Sequence, residues 1–204
     1  MTTEFDILHA LRVKGLAKPE VLSALSGVAI GDLETTCAPL VEDGKVVSRP
    51  GAMSGYMLTP AGKTAADALI GEDPETVSAR DELAAFDETF LPVNTEFKKI
   101  CHRWQLKGES EPNDHQDADY DAVVVDDLAT LHGDFVPSID QLGRALPRFG
   151  RYPGRLDAAL ERVKSGDAAS FARPMYDSYH DIWMELHNDV VLSLGRERGA
   201  ADEH

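Results

Sequence analysis

Residues 40–69 read LVEDGKVVSRPGAMSGYMLTPAGKTAADAL, and the fold turns on how this stretch is divided. Lys45–Ser48 and Tyr56–Thr59 have the composition of two short strands, joined by a turn containing Pro50, Gly51 and Gly55. Gly44 closes the helical pattern ahead of the first strand. Thr59 and Pro60 open a helix after the second, with threonine as N-cap and proline at the first helical position.

Upstream, AIGDLETTCAPLVEDG places Ile30, Leu33, Cys37 and Leu40 at helical spacing. KPEVLSALSG predicts an earlier helix, with Pro19 in its first turn and Gly27 after its last. FDILHALRV predicts the first, with Phe5, Ile7, Leu8 and Leu11 on its apolar side and Gly15 at its end. Three helices, a β-hairpin and a further helix, in that order, describe a winged helix-turn-helix. The segment LVEDGKVVSR followed by GYMLTPAGKTAADAL resembles the wing region of MarR-type bacterial regulators, in which "LTPxG" opens the helix after the wing. The resemblance covers about residues 4–70. It implies DNA binding through the third helix and the hairpin.

Downstream of Gly71 only helices are expected. The helix in EDPETVSARDELAAFDETFL should stop near Pro92. NTEFKKICHRWQLK gathers Phe97, Ile100, Cys101 and Trp104 on one face. YDAVVVDDLATLHGDFV and SIDQLGRAL are expected to be separate helices, followed by GRLDAALERVKSG. A last helix should run from about Pro174 to Leu194. The expected fold is therefore mainly α, with a winged-helix domain over 1–72 and an acidic helical bundle over 73–204. NDHQDADYDA, RFGRYPGRLDAALERVKSGD and SYHDIWMELH are similar to a helical domain located behind winged helices in actinobacterial proteins. Some of these are regulators, and some carry the segment beside phosphoenolpyruvate-utilising enzyme domains. That resemblance implies no site residues.

Charge is unevenly placed in a chain of net −16. Residues 1–70 hold 6 Lys+Arg against 8 Asp+Glu, and residues 71–204 hold 14 against 28. Binding to nucleic acid rests on neutralising phosphates, so the second region is a poor partner for DNA. The third helix offers Asp32, Glu34, Thr35 and Thr36 outward and no cation. A DNA-binding face would draw on Thr35, Thr36, Lys18, Lys45, Arg49 and Lys63. Dimerisation would double those contacts, and a homodimer is expected.

YDSYHDIWMELHND, residues 176–189, carries two histidines seven apart. At about 1.5 Å per residue they stand about 10 Å apart along a helix, too far to share one ion, so no metal is expected. Tyr176, His180, Trp183 and His187 would form one stripe, and Met175, Tyr179, Ile182 and Leu186 a second. Asp177, Asp181, Glu185 and Asn188 would form a strip facing water. The histidines are then either core residues or, with Trp104, His115, Tyr176 and Trp183, the lining of a pocket for a small-molecule effector. An acid–base role for His180 and His187 is the weakest alternative. The loop NDHQDADYD fails as a calcium loop, since Asp119 and Val125 occupy its sixth and twelfth positions. Asp117 or Asp119 should cap the next helix there, and His115 either stays solvated or folds onto the bundle. His132 is expected at a helix end.

No nucleotide-binding or hydrolase motif and no paired-cysteine metal spacing occurs in the sequence. Neither a catalytic residue nor a cofactor is expected. Cys37 and Cys101 lie 64 residues apart and suit reduced, buried thiols. The N-terminus lacks a secretory pattern and no run is long enough to span a membrane, so a cytoplasmic location is expected. The leading expectation is a DNA-binding transcriptional regulator with a dimerising or ligand-sensing bundle; the alternative is a module that regulates a partner enzyme without touching DNA, and an enzyme using His180 and His187 comes last.

Overall fold

The computed structural model describes residues 3–51, 54–108 and 110–196. It is mainly helical, with a small antiparallel sheet. The elements run α1 (Thr3–Lys14), β1 (Leu16–Ala17), α2 (Pro19–Ser26), α3 (Leu33–Glu42), β2 (Val46–Arg49), β3 (Gly55–Leu58) and α4 (Pro60–Glu72). After these come α5 (Pro74–Ser78), α6 (Arg80–Gln105), β4 (Leu106–Lys107), β5 (Glu111–Pro112), α7 (Ala118–Ala145), α8 (Tyr152–Lys164), α9 (Ala169–Ala172) and α10 (Tyr179–Ser193).

The first sheet has the order β1–β3–β2, with Leu16 opposite Met57 and Val46 opposite Leu58. Strand β1 is only two residues long, and its Leu-Ala sequence carries no alternation to betray it. The Thr59 hydroxyl accepts a hydrogen bond from the Gly62 amide at 3.1 Å, capping α4. Gly62 itself packs against the Lys45 carbonyl, where any Cβ would collide. That contact gives the glycine of LTPAG its reason: it lets α4 start directly beneath β2.

Four local expectations are overturned. Pro92 does not end a helix: it lies inside the 26-residue α6, and Pro137 lies inside the 28-residue α7, which joins the two helices expected on either side of it. Both prolines face solvent, as do Glu88 and Gly133, whose carbonyls lose their helical donors. Water can replace those bonds, and each apolar face continues unbroken across the proline. Ile30 belongs to a 3-10 turn ahead of α3 and is 56% exposed rather than inward. The last helix begins five residues later than expected, at Tyr179, where the Ser178 hydroxyl accepts from the Asp181 amide.

Residues from both the first third and the bundle belong to one hydrophobic cluster, reaching from Ile7, Leu8 and Leu11 on α1 to Ile182, Leu186 and Val190 on α10. Among the described residues, no helix is long and apolar enough to cross a membrane.

Candidate functional site

Helix α10 runs through the middle of the molecule and presents two different faces. One is aromatic. The Trp183 indole stacks on Phe97 at 4.5 Å and on Phe90 at 5.3 Å, and its N–H donates to Asn94 at 2.9 Å. His187 packs against Phe90 at 5.1 Å. Trp183 is 0% and His187 1% exposed, so these rings fill the space between α6, α7 and α10. His180, half-buried, lies 6.0 Å from Phe97, and burial lowers its pKa, with Asp181 opposing.

The other face is ionic, and here the sequence misled. Glu185, expected to face water, is 3% exposed, as is Asp189. Asp181, Glu185, Asn188 and Asp189 succeed one another at helical spacing because they meet α1. The Asp189 carboxylate accepts from His9 Nε2 at 2.8 Å, Arg148 Nε at 3.3 Å, the Ser193 hydroxyl at 3.0 Å and the Tyr152 hydroxyl at 2.9 Å. Burial pushes that carboxyl up, but His9 and Arg148 outweigh it and hold it well below the usual carboxylate range. Burial and the neighbouring Asp189 together push the Tyr152 phenol well up.

Arg148 extends the network. It donates to Thr76 at 2.9 Å and Ser193 at 2.7 Å, and lies 3.6 Å from Asp73. One turn earlier on α10, Glu185 accepts from Lys14 of α1 and lies 2.7 Å from Arg155 Nη1, an ionic contact without hydrogen-bond alignment. Burial disfavours the charge on Arg155, yet Glu185 and Asp177 raise its pKa above the ordinary arginine value. Asn188 donates to the Val13 carbonyl at 2.7 Å. Five segments, α1, α5, the 147–151 turn, α8 and α10, are thus tied at two buried carboxylates.

The remaining sequence candidates are scattered. Trp104 and His115 do meet, at 4.4 Å, with Trp104 also stacked on Phe171 at 4.2 Å. His115 Nδ1 lies 2.9 Å from Asp121, and its φ of 59° lets the loop fold back onto the bundle. Asp117 caps α7, accepting from the Tyr120 amide at 3.1 Å. Tyr176 and Met175 are not on α10. They lie in the exposed turn before it, where Met175 and Asp177 have positive φ. His132 is interior to α7, not at a helix end. Its Nε2 meets Asp157 at 2.9 Å and its Nδ1 meets Tyr179 at 3.2 Å. Tyr179 is wholly buried, and burial pushes its phenol up, so this Asp–His–Tyr line ties α7, α8 and α10 together and presents no nucleophile.

Lys18, Thr35, Arg49 and Lys63 are exposed and Thr36 half-buried. Lys45 is engaged by Glu4 at 2.6 Å and Asp43 at 3.6 Å. Cys37 and Cys101 are buried, with burial pushing the thiols up to about 11 and about 12, so neither is a thiolate at neutral pH. Among the described residues, no three His, Cys, Asp or Glu side chains converge as a metal site would require.

His9, Lys14, Arg148, Arg155, Glu185 and Asp189 were missed from sequence. One signal was present: His9 interrupts the otherwise apolar run ILHAL. Its partner is 180 residues away, and no local pattern supplies it. No family model matches the chain, and neither the curated proteins nor the solved structures contain a match.

Proposed function

We propose that the chain is a winged-helix regulator that acts on a protein partner rather than on operator DNA. The winged-helix reading is supported by the order of α1, β1, α2, α3, β2, β3 and α4, the strand order β1–β3–β2, the Thr59 cap and the MarR-like LTPAG stretch. The observation that carries the choice of partner is the outward side of α3. Its exposed positions include Glu34, Thr35, Ala38 and Glu42, flanked by Asp32 and Asp43, with no lysine or arginine on the helix. In a winged helix this surface would enter the major groove. Four carboxylates brought against phosphate repel where counterion release would have to drive association. Lys45, three residues past the end of α3, is paired with Glu4 and Asp43.

The bundle is the regulatory half. Because Glu185 and Asp189 hold α1 through buried charges, a partner or effector that displaces α10 displaces α1 and the elements packed on it. Such an effector acts through differential affinity for two arrangements.

Operator binding is the second reading, favoured by the exposure of Lys18, Arg49, Lys63 and Thr35. A charge reversal separates the two. On the protein-partner reading, E34K/E42K gains salt-sensitive affinity for duplex DNA that the native chain lacks. Tight DNA binding by the native chain, abolished by Arg49→Ala, would overturn it.

A further inference from the structure

Helices α6 and α7 run antiparallel, with Arg103 bridging to Asp127 at 2.7 Å near one end and Glu82 beside Gln141 near the other. Their inner faces meet α10. Between them, on a side that α10 does not cover, lies an open groove with a cavity of about 500 Å³. A second cavity of about 220 Å³ continues it past Thr89 and Ser138, which line both.

The lining residues lie on one face of each helix. On α6 they run from Glu82 and Ala85–Phe86 through Thr89, Val93 and Glu96 to Ile100 and Arg103, mostly in steps of three and four. On α7 they run from Asp127 through Thr130–Leu131 and Asp134–Phe135 to Ser138 and Gln141–Leu142, with the same main steps. A spacing of 3.5 residues is the rhythm of helices that pack along one another. Here two helices each present such a seam to the same trough, and among the described residues no third helix of this chain lies in it. The floor is apolar, with Val93 and Leu131 only half-buried. Of the four lip carboxylates, Asp127 pairs with Arg103 and Glu96 with Lys99, each at 2.7 Å, while Glu82 and Asp134 stand outside the ion pairs among the described residues.

We propose that this groove receives an amphipathic helix of a partner protein, with an apolar stripe on the floor and lysines or arginines against the acidic lips. The groove tracks α6 from Glu82 to Arg103, which at 1.5 Å per residue is about 30 Å, the length of a helix of about 20 residues. Glu82 and Asp134, in a stretch where residues 71–204 hold 14 Lys+Arg against 28 Asp+Glu, favour a basic partner over a second copy of this acidic chain. The mode is a helix laid in a groove and read through residues spaced three and four apart. The inference rests on the reading of the chain as a protein-binding regulator and names where and what it binds.

The test uses the full chain and a fluorescein-labelled synthetic peptide of about 20 residues, leucine at alternating three- and four-residue steps and lysine flanking them. Fluorescence anisotropy should show micromolar binding. It should weaken about tenfold or more in E96K/D134K, both exposed positions, and in Val93→Asp, with far-UV circular dichroism unchanged. A scrambled peptide of equal charge should bind far more weakly. No binding, equal binding of the scramble, or indifference to both variants would overturn the proposal. So would a native dimer that V93D converts to monomer, which would assign the groove to a second copy. DNA binding by the native chain would remove the protein-partner reading but leave this peptide result standing, so the two failures are distinct.

Discussion

His9 on α1 and Asp189 on α10 stand 180 positions apart in the chain and 2.8 Å apart in space. Both are buried, and the same carboxylate holds Arg148 and Tyr152. Removing one partner of a buried ionic group leaves the others desolvated and unpaired, a loss of about 3–5 kcal/mol. Asp189→Ala should therefore destabilise the whole chain by that order, measured by urea unfolding, because the buried Arg148 guanidinium loses one of its two carboxylates and His9, Tyr152 and Ser193 lose their shared acceptor. A loss below about 1 kcal/mol would mean the network is loosely hydrated.

The aromatic face makes a separate demand. Trp183 has no exposed surface and touches Phe90, Phe97 and Phe135. Trp183→Ala should cost about 3–5 kcal/mol through the void it leaves. Trp183→Phe keeps most of the volume but loses the bond to Asn94, and should cost less. If both variants melt at the native temperature, the rings line accommodating space after all.

Acid should weaken the fold in two stages. Burial lowers the His180 pKa from 6.5. As pH falls below that value the unfolded chain takes up the proton before the folded one, so stability declines; above it, both forms are neutral and nothing is lost. Asp189 is held down instead. Its contribution is complete above the ordinary aspartate value of about 3.9 and is lost as pH drops below it. Denaturation series at neutral, mildly acidic and strongly acidic pH should show both declines. His180→Gln should remove the first and spare the second.

At the α4 start, Thr59→Ala should cost about 1 kcal/mol by uncapping the helix. Gly62→Val should cost more, because a Cβ there meets the Lys45 backbone. Equal and small losses in thermal melts would contradict the close α4–β2 approach.

Short-range chemistry was readable in the sequence. Thr59–Pro60, Gly27 after α2 and the apolar side of α1 each declare themselves within a few residues. Proline misled at positions 92 and 137, because a helix tolerates it on a wet face when the opposite face stays apolar. Glu185 misled for the opposite reason: a carboxylate is assigned to water unless its cation is known, and Lys14 and Arg155 come from distant segments. The α6–α7 groove was not legible: the helix breaks expected at Pro92 and before Ser138 would have cut both of its walls, and the antiparallel pairing joins them only in space.

On the proposed reading, the outward side of α3 meets a protein and not phosphate. Anisotropy of labelled upstream intergenic DNA, titrated with native chain from low to physiological salt, tests it most directly. No saturable binding is expected even at about 50 mM salt, where phosphate contacts are strong. Tight binding that falls steeply as salt rises, and that is lost on Arg49→Ala, would contradict that reading.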